Sequence, residues 1–151
     1  MCVRRLNDQM QVHAGVTSEV LLDPRRPVKF ASLDEVVTQP ASAYCMPTSK
    51  TLESIDFVCQ PEERGQVTTN LDHGAKAAGL RAAHRVLTDA KAGKQAWLTF
   101  VVPPDKFAAF KKQKIEGPLD TKKFNIGQRV MKMPLVSQAT RPILMPALRF
   151  F

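Results

Sequence analysis

The chain has 151 residues, 44% of them hydrophobic and 24% charged, which is ordinary usage for one globular domain and excludes a wholly disordered chain. No apolar run approaches the roughly 18 residues that a membrane helix needs, so no span is expected. Lys and Arg outnumber Asp and Glu by 22 to 14, and the excess is uneven: residues 105–151 hold 10 basic and 3 acidic side chains, whereas residues 51–104 hold 6 of each. An anionic partner would therefore meet the C-terminal third.

Residues 1–50 read as an irregular N-terminal arm. Met1 to Gln11 is polar and carries Arg4, Arg5 and Asp8, so it is no secretory signal, and secretion is not expected. Met1, Leu6 and Met10 with the two arginines give it a faint likeness to an amphipathic import sequence. Val20-Leu21-Leu22 and Val28-Lys29-Phe30 read as short strands around a Pro24-Arg25-Arg26 turn. Ser32-Leu33-Asp34-Glu35 is a capping box, in which the Ser oxygen can accept from the Glu35 amide while the Glu side chain reaches back. It starts a helix of about two turns that Pro40 ends.

Residues 51–132 read as a compact α/β core. Ile55 to Cys59 forms a strand stopped by Pro61. Asn70 or Asp72 caps a helix reaching about Ala90, with Leu80, Ala83, Val86, Leu87 and Ala90 on one face and Gly93 at its stop. Ala96 to Val102 is nearly all apolar, which marks a strand covered on both faces. Pro103-Pro104-Asp105 opens a short helix with Phe107 and Phe110 on its inner side. Gly117-Pro118 turns the chain into a last strand over 124–133. The fold class is thus α/β (α+β): a small open sheet of three to four strands with two to three helices. The order points to a ferredoxin-like arrangement, flanked by extended N- and C-terminal segments.

Residues 133–151 form a Pro-rich apolar tail without an acid. Prolines 134, 142 and 146 prevent a long helix, and so much apolar surface on an extended tail calls for docking into a neighbour. Leu135, Ile143, Leu144, Leu148, Phe150 and Phe151 are the candidate docking residues.

Motifs for chemistry are sparse. The three cysteines, Cys2, Cys45 and Cys59, are odd in number and lack Cys-x-x-Cys spacing, which argues against a disulfide framework or structural zinc. Cys59 reads as a buried thiol in a reducing compartment. His73 and His84 are eleven residues apart, too far to share a metal on one helix, so no metal is expected. Gly93-Lys94 lacks the hydroxyl and the strand-then-helix order of a phosphate loop. Gly93 to Phe100 puts Trp97 and Phe100 where an RNA-recognition strand stacks bases. The basic-Gly opening and the first aromatic are missing, however, and the two rings have opposite parity along the strand, so core packing is the better reading. The basic set Lys106, Lys111, Lys112, Lys114, Lys122, Lys123, Arg129 and Lys132 is the candidate anion or RNA contact, and its predominance of lysine suits generic phosphate contact.

Together these features lead to the expectation of a non-catalytic structural subunit of a large multisubunit assembly, a mitochondrial ribosome or respiratory complex. Its partners would be several protein subunits and either rRNA or an acidic lipid surface. It would have no cofactor and no membrane span, with cytoplasm as the other compartment. The alternatives are a freestanding RNA-binding module, a small enzyme with a spatially assembled site, and a phage or virion structural protein.

Overall fold

The computed structural model describes residues 2–6, 18–19, 27–41, 43–48, 52–120 and 123–133. In chain order the strands and helices are β1 (Cys2–Leu6), β2 (Ser18–Glu19), β3 (Val28–Phe30), α1 (Asp34–Val37), β4 (Tyr44–Pro47), β5 (Phe57–Cys59) and β6 (Glu63–Val67). There follow β7 (Ala75–Lys76), α2 (Ala77–His84), α3 (Thr88–Lys91), β8 (Ala96–Val102), α4 (Pro104–Phe107), β9 (Ile115–Glu116) and β10 (Ile126–Lys132). The C-terminal docking residues and Lys122 lie outside the described residues, as do Val20-Leu21-Leu22.

A mixed α/β architecture results, but the sheet is much larger than three to four strands. Among the described residues eight strands run in the order β2-β1-β10-β8-β6-β5-β4-β3, and β7 and β9 form a separate parallel pair. The centre is a parallel trio: β8 pairs with β10 on one side and β6 on the other. β1 is antiparallel to β10, and β5 is antiparallel to both β4 and β6. The ferredoxin-like order is not reproduced.

β8 forms where its apolar run predicts, and six of its seven side chains are buried. Its alternate residues Leu98, Phe100 and Val102 meet Val36 of α1, Leu80 and Ala83 of α2, Ala90 of α3 and Phe110 in one cluster, against which Phe107 of α4 packs. All four described helices therefore lie on one side of the sheet. The opposite side carries Trp97 and Thr99 of β8, by the alternation of a strand, and no described helix reaches it.

The long helix expected up to Ala90 is two short ones. Buried Gln60 explains the break. Its amide Nε2 donates to the Val86 carbonyl at 2.7 Å, and its Oε1 accepts from both the backbone N–H and the hydroxyl of Thr88 at 3.1 Å. These bonds replace the helical partners between α2 and α3. The late start has a similar cause. His73 N–H donates to Gln113 Oε1, and Ala75 pairs with β9, so residues before Ala77 are already committed to other partners.

The capping box forms in part. Glu35 Oε1 accepts from Ser32 N–H at 2.9 Å, but the Ser32 hydroxyl takes the Asp34 amide, and α1 is a single turn. The fully buried thiol is Cys45, whereas Cys59, expected to be buried, is half-buried. The cause is register: Cys59 shares the helix-free face with Glu63, and Cys45 shares the helical face with Val58.

Candidate functional site

The lysine-rich segment is shaped by one glutamine. Phe110 anchors the start of it, with its ring 5.2 Å from that of Phe100. Three residues on, Gln113 is almost fully buried and bonds in four directions. Its N–H donates to Gln128 Oε1 at 2.8 Å and its carbonyl accepts from Gln128 Nε2 at 2.9 Å. Its Nε2 donates to the carbonyls of Leu71 and Lys111, and its Oε1 accepts from His73 N–H. With Gln113 turned inward, its neighbours Lys111, Lys112 and Lys114 are exposed. A cavity of about 160 Å³ opens beside them, lined by Lys112, Gln113, Ile115, Ile126 and Gln128.

The other basic residues do not join this group as one patch. Lys123 is exposed on the approach to β10. Lys106 pairs with Asp105 at 3.7 Å, and Lys132 lies over the Phe107 ring at 5.7 Å. Arg129 is on the helix-free face. There its Nη2 is 2.8 Å from Glu63 Oε1 and its Nη1 3.9 Å from Glu62. Its Nε donates to the Thr99 hydroxyl at 2.9 Å, and that hydroxyl donates to Glu63 Oε1 at 2.5 Å. The guanidinium also sits 5.3 Å from the Trp97 ring centre.

Trp97 itself is only 8% exposed. It covers Gly127, where an added Cβ would come within 2.6 Å of the ring, so only glycine permits this stacking on β10. The indole is therefore held by packing and offers little ring surface for a base. Farther along the same face Tyr44 stacks on Phe57 at 4.8 Å. Burial pushes the Tyr44 hydroxyl up to about 12, helped by the negative charges of Asp56, Glu63 and Cys59.

The sequence reading missed this Glu63–Thr99–Arg129 cluster. Its one available signal is the adjacent pair of acids, Glu62 and Glu63, directly before Arg64. A second missed group is on the helical face: Arg64 is fully buried on β6 with Nε, Nη1 and Nη2 all lacking a hydrogen-bond partner. Among the described residues no three His, Cys, Asp or Glu side chains converge as metal ligands, and no helix is long and apolar enough to cross a membrane. The chain matches no family model, no curated protein and no solved structure.

Proposed function

We propose that the chain is a non-catalytic structural subunit of a large multisubunit assembly. In this reading it meets a polyanionic surface through Lys111, Lys112, Lys114 and Lys123 and a neighbouring subunit through residues 133–151. The observation that carries it is the inward anchoring of Gln113, which holds three lysines outward on one short segment. Among the described residues neither Lys111 nor Lys114 has an acidic partner within ion-pair distance. Three closely spaced ammonium groups on an ordered backbone attract phosphate-rich surfaces and lose affinity steeply with salt. A mitochondrial ribosome or respiratory complex would supply such a setting.

Arg129 enters this reading as a structural residue, since Glu63, Glu62 and Thr99 occupy its donors. A freestanding RNA-binding module draws less support, because it would use Trp97 as a stacking platform and that ring is almost wholly covered.

The test is purification of the tagged full chain from its native source, with and without nuclease, beside a Lys111→Ala/Lys112→Ala/Lys114→Ala variant and a chain lacking 134–151. The expected result is a set of co-purifying subunits that the truncation loses and the lysine variant retains weakly. Subunits released by nuclease would assign the anionic surface to RNA. A lone monomer in every preparation would overturn the proposal.

A further inference from the structure

We propose that Arg64 and His84 form an internal binding site for one small inorganic oxyanion, between the sheet and α2. Arg64 stands on the helical face of β6, with Val58 of β5 and Leu98 of β8 opposite it in register. It has no exposed surface, and none of its three guanidinium nitrogens has a hydrogen-bond partner. Burial lowers its pKa to about 10, so the side chain keeps its charge at neutral pH. A guanidinium presents five N–H donors in one plane and accepts nothing. A buried charge of this kind persists only with a counter-charge or a full set of acceptors.

The described residues supply no counter-charge to Arg64. Among the described residues no Asp or Glu is buried. Glu63, the nearest acid in sequence, lies on the opposite face and is taken by Arg129.

A second group with unmet bonding capacity lies within reach of the Arg64 charge. His84, in the last turn of α2, has a buried Nδ1 without a partner. Burial lowers its pKa, and the charge of Arg64 lowers it further. Phe124 meets the imidazole edge-on, with ring centres 5.0 Å apart, which fixes the ring. The surrounding layer contains the short, fully buried side chains Ala83 and Ala96. A planar donor fork and an imidazole nitrogen from different elements are the groups that recognise an oxyanion, the fork by two parallel N–H···O bonds. Full burial of the Arg64 side chain limits the occupant to a small oxyanion such as phosphate or sulfate and excludes a nucleotide or a peptide. This site is independent of the exposed lysines and of the assembly proposed above.

The experiment is thermal unfolding of the full chain in inorganic phosphate, with chloride substituted to keep ionic strength constant. Three proteins are compared: the natural chain, Arg64→Met, and Lys111→Ala/Lys112→Ala/Lys114→Ala. The expected result is a rise in Tm that grows with the logarithm of phosphate concentration and reaches roughly 5–10 °C once phosphate exceeds its Kd about a hundredfold. The triple lysine variant should keep that rise and Arg64→Met should lose it. No rise in the natural chain, or an equal rise in Arg64→Met, would overturn the site. Should Arg64→Met not fold, the Nε–H resonance of Arg64 in the natural chain, assigned through its own side-chain carbons, replaces it. A saturable shift of that signal with phosphate supports the site, and an unmoved signal overturns it.

Discussion

Two arginines stand on opposite faces of one sheet, two strands apart, and they are treated in opposite ways. Arg129, on β10, is enclosed by Glu63, Glu62, Thr99 and Trp97, and its side chain keeps 19% exposure. Arg64, on β6, has no exposure and no partner. The difference follows from strand alternation: Glu63 and Arg64 are adjacent, so they must point to opposite faces. The acid that could neutralise Arg64 is directed by geometry to Arg129. One face is therefore electrostatically closed, and the other holds an unanswered charge beneath its helices.

The largest expected effect comes from separating α2 from the rest of the structure. A Cβ on Gly79 would lie 1.7 Å from the backbone carbonyl oxygen of Glu53, an atom that cannot swing aside as a side chain can. Gly79→Ala should cost more than about 4 kcal/mol in urea unfolding. The chain has one tryptophan, and it lies on the Arg129 face, so its emission below the unfolding transition should stay native if the two faces are independent.

Breaking the closed face should cost somewhat less. Glu63→Ala removes the 2.8 Å partner of Arg129 and leaves Glu62 at 3.9 Å as its acid partner beside the Thr99 hydroxyl. A loss of about 2–3 kcal/mol is expected, below the range for a fully buried pair because both side chains keep some exposure. Urea unfolding and a change in Trp97 emission report it. Arg64→Met should act in the opposite sense. In a buffer free of oxyanions, replacing an unpartnered buried charge by an apolar side chain should stabilise the chain by about 1–3 kcal/mol. A loss of similar size at both arginines would erase the contrast.

The smallest effects concern pH, and they part the two faces. His84 has a lowered pKa, caused first by burial and then by Arg64. The unfolded chain then binds more protons just below the ordinary imidazole value of 6.5, so the stability this group contributes is present above that value and is lost as pH falls. Tyr44 is raised from 10.0 to about 12, so its contribution is present below 10 and is lost as pH rises toward 12. Melting curves should show His84→Gln flattening only the acid limb and Tyr44→Phe only the alkaline limb.

The sequence makes parts of this arrangement legible and conceals others, for reasons tied to particular residues. β8 can be read because both of its faces are covered, which leaves a continuous apolar run. α4 is announced by two prolines and an acid, and β10 by its alternation. β6, at the heart of the sheet, reads Glu-Arg-Gly-Gln-Val and resembles a loop. Its charges are placed by pairing across the sheet, which no local pattern records. β1 was hidden likewise, since Arg4 and Arg5 make it look like a solvated leader, yet its backbone pairs with β10. The lysine cluster was visible as composition, but the inward glutamine that arranges it depends on Gln128, fifteen residues away.

That pairing of β1 with β10 also sets an order of events during synthesis. About 120 residues separate Leu6 from Ile126, and at roughly 5–20 residues per second β1 leaves the ribosome about 6–24 s before its central neighbour exists. The strands from β3 to β8 can assemble in that interval, while the β8 flank that β10 will occupy stays open. The nascent chain thus carries a strand with one edge open, the edge of β1 away from β2, together with an unfilled sheet edge, each able to pair with the wrong chain. A chaperone that holds the first residues until β10 emerges would raise the yield of native protein without touching its final stability.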